Sequence, residues 1–108
     1  MLEVTFYRDG RDRLSRFCAS GHAAFAEHGE DIVCAAVSAI LQAARLGLEA
    51  HAKIAIDVTQ RSGELDLRIP ESARDDAAVT AIVATAELSV EQIAKQFPAH
   101  VTYRRQTG

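Results

Sequence analysis

The sequence has no tryptophan, and all aromatic residues together make up only 6% of its 108 residues. Proteins that bind single-stranded nucleic acid stack the bases on aromatic side chains, so this scarcity argues against such a surface. An excess of positive charge is also lacking, because 12 Lys and Arg residues stand against 15 Asp and Glu residues and the formal net charge is −3 at pH 7. Nucleic-acid surfaces are normally basic, and the pair Arg104 and Arg105 is too short to provide one. We therefore expect no direct contact with nucleic acid.

Cysteine is scarce as well. Cys18 and Cys34 are too few for a disulfide scaffold in a chain of this length, and Cys18 is expected to be a small buried residue of a strand. The first residues contain no basic stretch followed by an apolar one, so they do not predict a signal peptide. The most apolar run, residues 32–41, is about half the length of a membrane span. We expect a cytoplasmic protein with reduced thiols, no membrane segment and a single domain over residues 1–108.

Apolar residues at every second position predict five strands, and turn residues join four of these strands into two hairpins. Two alanine-rich segments with apolar residues at spacings of three and four predict helices. Because hairpins dominate over strand–helix–strand crossovers, we expect an α+β domain with a mostly antiparallel sheet and both helices on one face. The predicted order is ββαββαβ, with strands at residues 2–8, 14–20, 53–60, 64–69 and 101–104, and helices at residues 31–50 and from 74 or 75 to about 96.

The first predicted helix is apolar on nearly every side over residues 32–41. Such a helix is typically enclosed by the rest of the protein. Polar residues return at Gln42, Arg45 and Glu49, where we expect the helix to reach the surface. The second predicted helix contains a capping-box pattern at residues 89–92, so the sequence leaves open whether that helix breaks there or continues.

A histidine and a cysteine flank a short loop that is bounded by glycines. His22 falls at the end of the second strand, and Gly21 and Gly29 are the candidate hinges of the loop. If Asp31 is the N-cap of the first helix, Cys34 falls in the first turn and its N–H donates to the Asp31 carboxylate. A helix N-terminus and a nearby imidazolium both favour a thiolate, and unpaired N–H groups of a first turn can bind an oxyanion. These are the parts that cofactor-free acyl transfer requires.

The same residues allow other interpretations. Cys34 lies in an apolar run, where a cysteine often only packs, and a histidine at a strand end often only hydrogen-bonds the backbone. His22, His28, Asp31 and Cys34 are also metal donors, although the paired cysteines or histidines typical of structural zinc are absent from the sequence. A third interpretation is an interaction module whose cysteine has no chemical role. Residue types and spacing alone do not decide between these interpretations.

Residues 21–39, GHAAFAEHGEDIVCAAVSA, resemble the signature of the Prp family, the bacterial ribosomal-processing cysteine proteases. The pattern of that family runs Gly-His, then a short loop ending in Gly-x-Asp, then Ile-Val-Cys-Ala-Ala-Val-Ser. Chain length and the order of elements extend the similarity over essentially the whole chain. The sequence departs from the common pattern at Ala24, His28 and Glu30, none of which belongs to the Cys–His pair.

The resemblance implies a cysteine protease with Cys34 as nucleophile and His22 as general base and acid. Asp31 would support them, as the helix cap or by orienting His22. The resemblance further implies a homodimer without cofactor or metal, whose substrate is the N-terminal extension of large-subunit ribosomal protein number twenty-seven. A ribosome-associated module without activity remains the alternative. The residues assigned to the substrate loop and its surroundings are Gly21, Phe25, His28, Gly29 and Ser38.

Overall fold

The computed structural model describes residues 1–21 and 28–108, with the backbone alone for residues 28–31. Within these residues the chain forms a five-stranded sheet and two long helices in the predicted order ββαββαβ. A π-helical turn at Gly47–His51 follows the first helix, and a 3₁₀ turn at Glu71–Ala73 precedes the second. The main elements are β1 (Leu2–Arg8), β2 (Leu14–Ser20), α1 (His28–Leu46), β3 (Asp57–Arg61), β4 (Glu64–Arg68), α2 (Ala77–Gln96) and β5 (Val101–Thr107).

The strands lie side by side in the order β3-β4-β2-β1-β5. Three of the four neighbouring pairs are antiparallel, including the hairpins β1–β2 and β3–β4, and β5 runs parallel to β1. The prediction of a mostly antiparallel sheet in an α+β fold is therefore confirmed. It succeeded because the two tight hairpins and the pairing of β4 with β2 are antiparallel, which leaves β5 as the one described strand that pairs in parallel.

The core fills the space between one face of the sheet and the two helices. Val4 pairs with Ala19 and Phe6 with Phe17, so alternate side chains of β1 and β2 share the buried face. The rings of Phe6 and Phe17 lie 5.4 Å apart between their centroids. The helical segments complete the core with fully buried residues. Val37 and Leu41 of α1 and Leu48 of the following turn contribute on one side, and Val79, Val83 and Val90 of α2 contribute on the other.

The opposite face of the sheet carries no helix among the described residues, and its side chains are mainly polar. A shallow cavity of about 450 Å³ lies over it, lined in part by Glu3, Thr5, Tyr7 and Asp66. Cys18 also points to this face, half-buried, with its Sγ 3.8 Å from the Tyr7 hydroxyl. The expectation that Cys18 is a buried core residue is wrong, because the pleat of β2 turns it away from its core-facing neighbours.

Two predicted boundaries shift for local reasons. β3 begins at Asp57 rather than residue 53, because its pairing with β4 begins at the Asp57–Arg68 pair and because Lys53, at the predicted start, is left-handed with a φ of 56°. Ile54 and Ile56 still pack against the core as their alternation predicts. At the other end of the chain, β5 continues to Thr107, because it pairs with β1 over that strand's whole length.

The second helix is continuous. It begins at Ala77 after the N-cap Asp76, whose carboxylate accepts a hydrogen bond of 3.0 Å from the Val79 N–H. The capping-box pattern does not interrupt it, because the Ser89 hydroxyl donates to the Thr85 carbonyl one turn back. The question that the sequence left open is thus resolved in favour of one helix ending at Gln96.

Candidate active site

Cys34 is the seventh residue of α1, and its side chain turns toward the sheet. The residue is 8% exposed and belongs to the core cluster together with Val33 and Val37. No disulfide joins it to Cys18, and both residues are thiols. The structure therefore places the candidate nucleophile at the inner side of the helix, near the end of the sheet where β1 begins and β2 ends.

The helix begins earlier than the sequence suggested. Asp31 was expected to be the N-cap, but α1 starts at His28, so Asp31 is its fourth residue and the capping prediction is wrong. Gly29 lies inside the helix rather than acting as a hinge of the loop. A helical glycine costs only about 1 kcal/mol relative to alanine, which the strongly helical segment that follows it outweighs. His28 likewise begins the helix instead of lying in the substrate loop.

The earlier start changes what the helix can offer to Cys34. Only the first four N–H groups of a helix lack a carbonyl partner within it, and these belong to residues 28–31. The dipole effect falls off beyond the first turn. Cys34 lies in the second turn, so the anion stabilisation that the sequence analysis assigned to a first-turn position is not available there.

Gly21 fixes the direction in which the chain leaves β2. Its φ is +85°, and a Cβ at this position would lie 2.4 Å from the backbone carbonyl oxygen of Met1. No other residue type fits such a left-handed position so close to another backbone. Glycine is therefore required at position 21, which was expected to be a hinge, because the chain passes close to the start of β1 there.

A narrow cavity of about 30 Å³ lies between α1 and the sheet, beginning one helical turn beyond Cys34. Ser38, which the sequence assigned to the substrate region, lines it from the helix. The floor is apolar, and the outer rim is polar. The residues that line it are Leu2, Ala19, Val37, Ser38, Leu41, Gln42, Gln60, Arg61, Glu64 and Leu65.

The polar rim of this cavity was missed by the sequence analysis. Arg61 and Glu64 flank the β3–β4 turn and form an exposed ion pair of 3.5 Å. Gln60 accepts a hydrogen bond of 2.7 Å from the Arg45 guanidinium, which ties β3 to α1. The pairing of Ser20 with Glu64 brings this turn to the end of β2. The sequence did predict a tight connection at residues 61–63. It could not predict that this turn lies beside the end of β2, because that position follows only from the order of the strands in the sheet.

Several predicted site residues fall outside the described part of the chain. His22 and Phe25 are among the residues that the structure does not describe, and the side chains of His28 and Asp31 are not described either. Their placement relative to Cys34 stays a prediction. Among the described residues there is no group of three His, Cys, Asp or Glu side chains suited to a metal ion. The metal interpretation, which depends on those histidines, is not tested by this observation.

The model of the family described as cysteine protease Prp matches residues 1–102. The chain belongs to the Prp family of cysteine proteases. A curated Prp protein, the ribosomal processing cysteine protease Prp of Bacillus subtilis (strain 168), is 33% identical to it over 79 residues. That match covers 71% of this chain and 70% of the relative.

Solved structures agree with the Prp fold. A Streptococcus mutans protein superposes with a TM-score of 0.92 at 27% identity, covering 100% of this chain and 99% of that one. The essential ribosomal processing protease Prp from S. aureus, crystallised with a substrate peptide, gives a TM-score of 0.87 at 20% identity. It covers 97% of this chain and 99% of that one. The predicted family and fold are both confirmed.

Proposed function

We propose that this chain removes the N-terminal extension of large-subunit ribosomal protein number twenty-seven, with Cys34 as nucleophile and His22 as general base and acid. The observation that carries the proposal is the Prp match over residues 1–102, a range that contains both residues. The Bacillus subtilis relative is named for ribosomal processing, which supports a ribosomal substrate. Such a substrate is made in the cytoplasm, where we place the protein.

The proposed reaction proceeds through an acyl-enzyme. His22 takes the proton of the Cys34 thiol, and the thiolate attacks the carbonyl carbon of the scissile peptide bond. The C–N bond then breaks, and His22 gives its proton to the leaving amine. A water molecule, deprotonated by His22, attacks the thioester and releases the new carboxylate, and the thiol is restored. We assign oxyanion binding to backbone N–H groups near Cys34 that have no partner within the helix, which are those at the start of α1 rather than that of Cys34.

Chain length supports the proposed pairing of His22 with Cys34. Ala19 and Ser38 line the same narrow cavity. His22 follows Ala19 by three residues, which span at most about 10 Å even when fully extended. Cys34 precedes Ser38 by one helical turn, about 6 Å along the helix. These two short tethers are compatible with an approach of the imidazole to the thiol, which the proposal requires.

The remaining parts of the proposal concern the substrate and the assembly. We propose that the extension binds along residues 21–29 and over Ser38, where Gly21, Phe25, His28 and Gly29 surround it. The rim beside Ser38 carries charges of both signs, which suits the polar backbone of an extended peptide. We also propose that the active protein is a homodimer that uses no cofactor.

The test is cleavage of the extended ribosomal precursor, followed by mass spectrometry of the fragments. We expect the wild-type chain to release the extension and Cys34→Ser to leave the precursor intact while remaining folded. His22→Ala should lower the rate by about a hundred- to ten-thousand-fold, the usual contribution of general acid–base catalysis. Cys18→Ala is the matched control, because Cys18 lies on the other face of the sheet and its loss should leave the rate unchanged.

Other outcomes would overturn the proposal. Cleavage by Cys34→Ala at the wild-type rate would exclude Cys34 as nucleophile. A wild-type chain that binds the precursor without changing its mass would be an interaction module instead. Stoichiometric zinc in protein purified without added metal would favour the metal-binding interpretation.

A further inference from the structure

His100 lies at the same end of the sheet as the candidate site, and the proposed mechanism does not use it. It immediately precedes β5, whose first residue, Val101, pairs with Leu2 at the start of β1. Both backbone groups of His100 are hydrogen-bonded. Its N–H donates to the Phe97 carbonyl at 2.9 Å, and its carbonyl accepts from the Leu2 N–H at 3.0 Å. The backbone of His100 is therefore held in place beside the start of β1.

Leu2 links His100 to the parts of the chain that carry the proposed catalytic pair. The Cα of Leu2 lies 3.9 Å from the position of a Cβ at Gly21, the residue that immediately precedes His22. Leu2 also lines the narrow cavity together with Ser38 of α1. Adjacent strands lie about 4.8 Å apart, so the backbones of Gly21 and His100, with β1 between them, are about 10 Å apart. Gly21 and His100 therefore flank the start of β1 from its two sides.

The His100 ring is directed into the protein rather than into solvent. The residue is half-buried, and its Nδ1 atom is buried. Buried polar atoms are nearly always hydrogen-bonded, so a ring in this position can support a neighbouring segment. On the two strands beside it, the charged side chains of Glu3 and Arg104 pair with each other at 3.0 Å. The sequence between Gly21 and Cys34 contains three carboxylates, which accept hydrogen bonds from an imidazole N–H.

The position of Cys34 makes the placement of His22 important. Cys34 lies in the second turn of α1, where the helix N-terminus contributes little to a thiolate. Activation of the thiol then depends on the imidazole of His22. A misplacement of about 1 Å in such a pair can cost about a hundredfold in rate. A support whose own backbone is held on both sides, as that of His100 is, would prevent this loss.

From these observations we infer that His100 is a positioning residue of the proposed active site. Its ring hydrogen-bonds the segment between Gly21 and α1, and this bond holds His22 beside the Cys34 thiol. The inference rests on the proposed function, because it assigns His100 to the same catalytic pair. In this role His100 contacts neither the substrate nor the reacting atoms, and no proton of the reaction passes through it.

The first experiment compares two variants of His100 in the precursor assay. His100→Ala should lower kcat/KM by about three- to tenfold, the effect of losing one net hydrogen bond. His100→Asn should restore most of the rate, because its amide can donate and accept near the position of Nδ1. His51→Ala is the matched control, since His51 is an exposed histidine at the far end of α1, and it should keep the wild-type rate. Urea unfolding of each variant corrects the rates for the fraction of folded protein.

The second experiment tests whether His100 acts through His22. Alkylation of Cys34 by iodoacetamide at about pH 6 should slow in His100→Ala and recover in His100→Asn, while alkylation of Cys18 stays unchanged. In a His22→Ala background, His100→Ala should cause no further loss of either the cleavage or the alkylation rate. The two effects are not additive because no imidazole then remains to be positioned.

Three results would overturn the inference. One is a His100→Ala protein that cleaves the precursor at the wild-type rate. Another is a rate that falls only as far as the fraction of folded protein falls, which would assign His100 a purely structural role. The third is a full further loss in the His22→Ala background, which would show that His100 acts independently of His22.

The alkylation assay separates this inference from the proposed protease. Wild-type protein that leaves the precursor intact, but whose Cys34 alkylation depends on both histidines in the predicted way, would overturn the proposed substrate and support the role of His100. Wild-type protein that cleaves the precursor, with His100→Ala unchanged in both assays, would overturn the inference and leave the protease intact.

Discussion

At Gly21, the absence of a side chain directs the backbone from β2 into the segment that carries His22. The residue combines a left-handed backbone with contact against the Met1 carbonyl. Leu2, next to Met1, is held in place by a hydrogen bond of 3.0 Å from its N–H to the His100 carbonyl. The start of β1 is therefore not free to move away from an added Cβ.

Gly21→Ala should lower both stability and cleavage. The left-handed backbone alone costs an alanine about 1–2 kcal/mol, and the overlap with the Met1 oxygen adds to this. Because the strain is relieved by moving the chain that leads to His22, we expect the cleavage rate to fall by more than the loss of folded protein accounts for. Urea unfolding and the precursor assay measure the two effects.

Gly10→Ala is the control for this substitution. Nothing lies within 4 Å of a Cβ at Gly10, and its φ is not left-handed. We expect no loss of stability there, and none of activity. Equal effects at Gly10 and Gly21 would contradict this account of Gly21.

Glu87 is a buried carboxylate away from the candidate site. It is 5% exposed, and both of its oxygens accept hydrogen bonds from the Arg8 guanidinium, at 2.7 and 3.0 Å. The Tyr103 hydroxyl donates a third at 2.7 Å. Burial acts to raise the pKa of Glu87, but the bonds from Arg8 and Tyr103 outweigh it and hold the pKa below its ordinary value of 4.5. Burial and the bond to Glu87 raise the pKa of Tyr103.

The Glu87 cluster should therefore give stability a defined pH dependence. A lowered carboxyl pKa adds stability that is present above pH 4.5 and is lost as the pH falls toward the folded-state value. Glu87→Gln should flatten this acidic loss. It should also cost about 1–3 kcal/mol at neutral pH, because the part-buried Arg8 then keeps only the exposed Asp12 as a counter-ion, at 3.9 Å. Urea unfolding across pH, with Glu91→Gln as a control on the same helix, tests both expectations, and matching curves for the two variants would contradict them.

At the scale of elements, hydrophobic periodicity predicted every strand and helix, because each has one face on the same core. The boundaries were less accurate where a single residue decides them. Lys53 stops the extended chain by a left-handed backbone, which no pattern announces. Asp31 has the chemistry of a cap but lies inside α1, because the segment before it is also helical.

The candidate site, too, was predictable from the sequence only in part. The helical location of Cys34 follows from its apolar neighbours, whereas the cavity beside it combines Ser38 with Arg61 and Glu64. Arg61 and Glu64 each follow Ser38 by more than twenty positions in the sequence. They come together only because β4 pairs with β2 rather than with β1, and this pairing is a property of the sheet order.

The N-cap of α2 permits a direct test of an element boundary. Asp76→Ala should cost about 1 kcal/mol, because it removes the acceptor of the Val79 N–H. Asp75→Ala removes an exposed ion pair of 3.0 Å to Arg13, so its cost should be at most about 0.5 kcal/mol. Chemical denaturation of the two variants compares them. A larger loss for Asp75→Ala would mean that the helix begins one residue earlier than assigned.

At the scale of the whole molecule, the candidate site and the main ion pairs occupy opposite ends of the sheet. The β1–β2 turn carries Asp9, whose carboxylate bonds Arg13 and Arg74, and Arg13 reaches on to Glu71. These contacts tie the turn to the segment that leads into α2. The site lies at the other end, where β2 ends and α1 begins.

The central claim is that Cys34 is a thiol activated by His22 in the intact protein. The most direct measurement is the rate of alkylation of each cysteine by iodoacetamide at about pH 6, where ordinary thiols react slowly. We predict that Cys34 reacts faster than Cys18, although Cys34 is the more buried of the two, and that His22→Ala abolishes the difference. A Cys34 that reacts no faster than Cys18, or whose rate is unchanged by His22→Ala, would contradict the account.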